Sequence, residues 1–183
     1  MKGMVFTEFL DMVEQTWSPE VADRLIDNAH SATGGAYTAV GTYDHRELVR
    51  MVQALALESG IAVPELLRRF GHHLAKTFAA RFPAFFNAQP TLFDFLGSID
   101  AVIHVEVLKL YPDAELPSFR VEQRTEDTMT LVYRSSRHMA PLALGLMEGA
   151  ATHYGRQALI EQSTQADGAV VFHVRHEALV SVN

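Results

Sequence analysis

Nine histidines are spread along the 183-residue chain, and imidazole is both a common metal ligand and a common acid–base group. Most of them stand where a shared task is hard to arrange. His72 and His73 are adjacent, so a helix sets them about 100° apart. His173 and His176 lie three apart in a segment of strand character and so point to opposite faces. Neither pair has the i, i+4 spacing of a helical zinc site. His30, His45, His138 and His153 sit among polar or turn residues, where a solvated imidazole is ordinary.

His104 differs. It lies in Ile99-Asp100-Ala101-Val102-Ile103-His104-Val105-Glu106-Val107-Leu108, an apolar helical run whose histidine face also carries Val107 and Leu108. A neutral imidazole there must satisfy two ring nitrogens. Two readings do so. One is a hydrogen-bonded core histidine. The other is a metal ligand binding through Nε2 while Nδ1–H donates to a carbonyl or carboxylate.

A second group follows in Tyr133-Arg134-Ser135-Ser136-Arg137. An extended segment has period two, which puts Tyr133, Ser135 and Arg137 on one face. Two hydroxyl donors and a planar guanidinium suit carboxylates, which arginine binds in a bidentate manner. The alternative is an ordinary exposed strand face of polar residues.

The elements that must hold these groups change character along the chain. Phe6, Phe9, Leu10, Val13 and Trp17 recur at helical spacing, and Pro19 opens a second helix. Gly34 and Gly35 mark a loop. Asp44 and Glu47 have the spacing of a capping box ahead of Leu48, Met51, Val52 and Leu55. From Pro64, a stripe of Phe70, Leu74, Phe78 and Phe82 predicts a helix ended by Pro83. Thr91 to Leu110 reads as helical with a break near Gly97. Beyond Pro117 the pattern turns to strands over 118–124 and 129–135 around a polar Thr-Glu-Asp-Thr turn. An apolar helix follows from Pro141 to Tyr154, closed by Gly155. Residues 157–164 and 169–176 then flank the hairpin signal Asp167-Gly168. The expectation is α+β: a mainly helical N-terminal part, then a C-terminal antiparallel sheet with an inserted helix. With no repeat or linker, residues 1–183 are expected to form a single domain.

Composition narrows the function classes. The formal net charge of −7 lacks the basic footprint of a nucleic-acid binder. With no cysteine, disulfides, thiolate catalysis and Cys-ligated metals are excluded. Acidic residues interrupt the opening apolar stretch, so no signal peptide or membrane span is expected, and the protein is expected to be cytoplasmic. No nucleophile–base motif points to an enzyme.

Taken together, these features resemble the haem nitric oxide/oxygen-binding (H-NOX) family, the sensor domain shared by stand-alone bacterial proteins and soluble guanylate cyclases. The resemblance runs through Met1-Lys2-Gly3, Lys76-Thr77-Phe78, Phe82-Pro83, His104-Val105-Glu106-Val107, Pro117, Tyr133-x-Ser135-x-Arg137 and Leu144-Gly145-Leu146-Met147-Glu148-Gly149. It implies haem b (ferrous protoporphyrin IX) held between the helical part and the sheet, with His104 as the iron ligand. It further implies that Tyr133, Ser135 and Arg137 bind the propionates, that Pro117 presses on the macrocycle, and that Val5, Phe9, Leu74, Phe78, Leu142 and Leu146 line the distal side.

Oxygen-binding relatives carry a tyrosine at the position matching Leu142 and polar neighbours at those matching Phe9 and Leu74; all three are apolar here. Bound O₂ gains from a hydrogen-bond donor, whereas nitric oxide needs none. The resemblance therefore implies a sensor for NO, with CO a further ligand, in which NO binding weakens or breaks the bond from His104 to iron. No effector domain is left over in the 183 residues, so signalling is expected in trans, to a histidine kinase or a cyclic-di-GMP enzyme. The competing functions are a haem-free small-molecule or protein-interaction module of the same fold and, further off, a haem-dependent enzyme.

Overall fold

The stripe Phe6, Phe9 and Val13 forms one face of α1 (Gly3–Thr16), and all three side chains are fully buried. In α2 (Pro19–Ala29) the Ser18 hydroxyl accepts a bond from Val21 N, and Pro19 occupies the first turn, where its missing N–H costs nothing. α3 (His45–Ser59) opens on Asp44, whose Oδ1 accepts from Arg46 N at 2.9 Å. The expected reciprocal capping box is not formed. Glu47 Oε2 instead accepts from the Tyr37 hydroxyl at 2.8 Å, so its carboxylate is unavailable to the cap. α4 (Val63–Arg81) follows.

The computed structural model describes residues 1–31 and 33–178, which fall into two compact units meeting at Phe70 and Gly71. Residues 32 and 179–183, which the single-domain expectation includes, lie outside the described residues. The first unit builds its core from α1, α2, α3 and the start of α4, with Leu25, Leu48, Met51, Leu55, Leu66 and Phe70 fully buried. Gly3 is required there: a Cβ would lie 1.9 Å from the Thr38 carbonyl oxygen, on the loop that brings Tyr37 to stack on Phe6 at 4.6 Å.

In the second unit, Pro83 begins a five-residue helix, α5 (Pro83–Asn87), too short to show a period in the sequence. Thr91 caps α6 (Leu92–Ser98) by accepting from Asp94 N. The expected break near Gly97 is absent. The chain passes instead into a π-helical segment, Ile99–Ile103, and then α7 (His104–Leu110). An i→i+5 turn this short leaves no hydropathy period to read.

Four strands follow: β1 (Ser118–Arg124), β2 (Thr128–Arg134), β3 (Arg156–Thr164) and β4 (Val170–Ala178), with α8 (Ala140–His153) between the pairs. They form one antiparallel sheet in the order β1-β2-β4-β3, so β1 and β3 are its edges. The β3–β4 turn places Gly168 at φ 82° and Asp167 Oδ1 on Ala169 N at 3.1 Å, the left-handed position a short hairpin loop needs. Met129, Leu131, Tyr133, Phe172 and Val174 of the sheet pack with Leu92, Phe93, Phe95 and Leu96 of α6 and Ala143, Met147, Ala150 and Ala151 of α8. Burying a phenylalanine such as Phe172 contributes about 1.5–3 kcal/mol.

Two glycines set the approach of α8. A Cβ on Gly71 would fall 2.2 Å from the Leu142 carbonyl oxygen and 2.8 Å from Leu146 N, and one on Gly149 would fall 2.5 Å from Ala75 Cβ. The architecture is α+β, with the helical N-terminal part, antiparallel sheet and inserted helix that the pattern predicts.

Candidate haem-binding site

His104 is the first residue of α7, and its N–H reaches back to the Ile99 carbonyl across the π segment. Its Nδ1 lies 3.0 Å from Asp100 Oδ1, a buried oxygen that accepts no hydrogen bond of good geometry. The second oxygen, Asp100 Oδ2, accepts from Phe119 N of β1 at 2.8 Å. Burial pushes the His104 imidazole below its ordinary pKa, against the opposing pull of the Asp100 carboxylate. The ring is therefore neutral near pH 7. A carboxylate at 3.0 Å from Nδ1 favours the tautomer that keeps the proton on Nδ1 and leaves the Nε2 lone pair open.

The surroundings of this ring bear on its two readings. Neither the π segment nor α7 contains a buried residue; Val102, Val105 and Leu108 are each more than 40% exposed. The apolar run around His104 is thus not a core helix, and a packed core histidine is the poorer description.

Tyr133 stands near the end of β2, buried against the rings of Phe119 and Phe172. Burial raises its pKa, outweighing the lowering effects of the Ser135 side chain, the Arg137 charge and the Met139 backbone. It stays a phenol, and so a donor.

Ser135 and Arg137 are not positioned by the alternation the sequence suggests. The strand ends at Arg134. Ser135 Oγ accepts from Arg137 N at 3.2 Å, Ser135 O accepts from His138 N at 3.3 Å, and His138 takes φ 52°. A side-chain-closed turn, not the period of a strand, places Arg137. Its guanidinium is 12% exposed. Nη1 donates to the Glu115 carbonyl at 2.6 Å and Nη2 to Glu115 Oε2 at 3.0 Å, while Nε is buried without a partner.

Pro117 is half-buried in the segment between α7 and β1, two residues past Glu115. Leu142 and Leu146 are half-buried one turn apart on α8; Leu74 is buried and Phe78 half-buried on α4. Val5 (half-buried) and Phe9 belong to the first unit, where Phe9 packs edge-on against Phe70 at 5.2 Å.

The donor set of the second unit fits haem chemically. His104 offers one neutral imidazole nitrogen, and no group of three or more His, Asp or Glu side chains that could hold a bare metal ion occurs among the described residues. A phenol, a hydroxyl and an arginine with a buried, unsatisfied Nε suit carboxylates. The sequence reading missed two residues at this site. Asp100 was detectable from its position four residues before His104, a helical neighbour spacing. Glu115 was not, since nothing local pairs it with Arg137.

A family model described as Haem-NO-binding matches residues 2–162. No curated protein matches the chain. Among solved structures, the Fe(II) unliganded H-NOX protein from K. algicida is 34% identical, with a TM-score of 0.92 over the whole of both chains. An H-NOX from Shewanella woodyi, solved bound to IWP-051 in the Fe(II)CO state, is 35% identical, with a TM-score of 0.83 over 100% of this chain and 97% of that one. An H-NOX protein from S. oneidensis in the Fe(II)NO state is 26% identical, with a TM-score of 0.90 over 97% and 99%. The chain belongs to the Haem-NO-binding (H-NOX) family, whose domains bind haem and have the fold of haem-based gas sensors.

Proposed function

We propose that this chain is a ferrous haem b sensor of nitric oxide, acting as one cytoplasmic domain of residues 1–183. The observation that carries the reading is the Arg137 Nε, buried and unsatisfied in the turn that follows Tyr133 and Ser135. A buried cationic donor left without an acceptor costs about 1–3 kcal/mol or more, so this trio calls for an anionic ligand. A pair of propionates meets that need, and the neutral His104 ring, with its proton favoured on Nδ1, offers Nε2 to the iron. Bound there, ferrous haem would supply a coordination position for NO.

His104 would hold the iron, and weakening of that bond by NO would be the event to be read out. Pro117, in the segment that joins α7 to β1, would bear on the macrocycle. By the family resemblance, Val5, Phe9, Leu74, Phe78, Leu142 and Leu146 are the residues assigned to the distal side. None of these six side chains carries a hydrogen-bond donor, which supports a preference for NO and CO over O₂. The signal passes in trans to a histidine kinase or a cyclic-di-GMP enzyme, the domain itself doing no catalysis.

An NO titration followed by absorbance tests the reading. The expected result is a strong Soret band that moves with NO and not with air. Protein that stays colourless after expression with ample haem would favour a haem-free binding module, with Arg137 gripping another carboxylate. His104→Ala should load haem poorly, or only with added imidazole; an unchanged five-coordinate spectrum in that variant would remove His104 as the ligand.

A further inference from the structure

We infer that Asp100 is a positioning residue that couples the His104 ring to the edge strand of the sheet. The inference rests on His104 as haem ligand and goes beyond it by naming what holds the ring and where its movement is first felt. One carboxylate makes two contacts: Oδ1 to His104 Nδ1 at 3.0 Å and Oδ2 from Phe119 N at 2.8 Å. Phe119 lies on β1, which pairs only with β2. Its amide is therefore engaged on the open edge, where Asp100 is its acceptor.

Packing does not duplicate this link. The π segment and α7 bury no residue, and Ile99 and Ile103 only lean on the core from half-buried positions. The imidazole is 17% exposed and 6.2 Å from the Phe119 ring, so packing limits its place while a partner at its second nitrogen selects its orientation. Asp100 does so from within the π segment, whose closing bond runs from His104 N to Ile99 O. Because π turns are strained inserts in helices and concentrate at functional sites, this one supplies slack next to the ligand. When His104 stays bound, the carboxylate holds ring and strand in register. When the ring moves away, Oδ1 loses its 3.0 Å contact with Nδ1, and the change reaches Phe119 through the same side chain.

A carboxylate on Nδ1–H also raises the basicity of Nε2, and losing such a partner typically weakens metal binding about 10- to 100-fold. Asp100 thereby sets how readily NO displaces His104.

Two measurements need no haem. In haem-free protein, long-range ¹H–¹⁵N spectra should find the His104 proton on Nδ1, and hydrogen exchange should find the Phe119 amide protected. A wild-type ring protonated on Nε2, or an unprotected Phe119 amide, overturns the link even if no variant folds. In haem-loaded protein, Asp100→Asn should lower the iron–histidine stretching frequency and raise the five-coordinate fraction of the NO complex, with Phe119 exchange quickened. Asp100→Glu, which keeps a carboxylate, should restore part of each change. An unchanged stretching frequency together with unchanged Phe119 protection in Asp100→Asn sinks the proposal. If the wild-type protein takes up no haem, the sensor reading fails, while the two haem-free measurements still decide whether Asp100 joins ring and strand.

Discussion

Arg137 and Glu115 are joined twice across 22 residues of chain, Nη1 to the Glu115 carbonyl at 2.6 Å and Nη2 to its carboxylate at 3.0 Å. The pair ties the turn after β2 to the segment that carries Pro117. It also means that the guanidinium assigned to the propionates already holds one carboxylate. The Glu115 side chain is 76% exposed, against 12% for Arg137, so the glutamate is the partner more easily displaced.

Two substitutions separate these roles. Arg137→Ala removes charge-assisted bonds of about 1.5–3 kcal/mol and should speed haem loss about 10- to 150-fold. Glu115→Gln keeps the carbonyl bond but removes a competing charge. With the glutamate side chain exposed, its carboxylate contributes about 0.2–1 kcal/mol, so haem loss should slow by no more than about fivefold. Transfer of haem to excess apomyoglobin measures both. Faster loss in Glu115→Gln would show that the pair supports the clamp instead of competing with it.

Leu142→Tyr would place a phenol donor on α8. A hydrogen bond to a charged acceptor contributes about 1.5–3 kcal/mol, so oxygen affinity should rise by about 10- to 150-fold. Equilibrium absorbance under controlled oxygen is the check. No gain would mean that Leu142 does not face the gas.

Gly71→Ala tests the close approach of α4 and α8. The added Cβ would meet backbone atoms, Leu142 O at 2.2 Å and Leu146 N at 2.8 Å, which no rotamer change relieves. Overpacking of this kind costs about 1–3 kcal/mol. Urea denaturation should show that loss, and CO rebinding rates should change as Leu142 and Leu146 shift. Wild-type stability would contradict the helix spacing.

Tyr154 makes stability pH-dependent on the alkaline side. Burial, with the Asp94 charge adding, pushes its phenol from 10.0 to about 12, and its hydroxyl donates to the Phe86 carbonyl at 2.7 Å. A folded pKa above the unfolded one means the native state keeps its proton longer. The contribution is complete below pH 10 and is lost between pH 10 and about 12. Tyr154→Phe should cost about 1 kcal/mol at neutral pH and flatten the decline between pH 10 and 12. Some slope should remain, because Tyr37 is also pushed up to about 12. Denaturation midpoints at pH 8, 10 and 11.5 would show it; an unchanged slope in the variant would place the dependence elsewhere.

Much of the fold was legible because its signals are local. Ser18-Pro19 and Asp44 start helices through a side-chain acceptor and a fixed φ, and Gly155 and Gly168 adopt positive φ at the ends their neighbours predict. Where a local rule met a competitor it failed. Glu47 went to Tyr37 and not to its own cap. Gly97 did not break its helix, because the irregularity fell in the next five residues as a π segment. Pro83, read as a stop, was also a start.

At the site the division is the same. The sequence by itself determined which groups are available: an imidazole in an apolar run, two hydroxyls and a guanidinium at alternate positions, and six distal side chains without a donor. Those are properties of residue type and short spacing. The tertiary structure decided which atoms are engaged. It closed the turn from Ser135 to Arg137, joined Arg137 to Glu115, and joined Asp100 to Phe119, 19 residues away. Each such contact depends on two segments meeting after the chain has folded, and no periodicity within either segment encodes its partner. His104 was visible as a candidate from its neighbours, and Asp100 from its place four residues earlier; the bond from Asp100 to Phe119 became visible only once β1 lay beside the π segment.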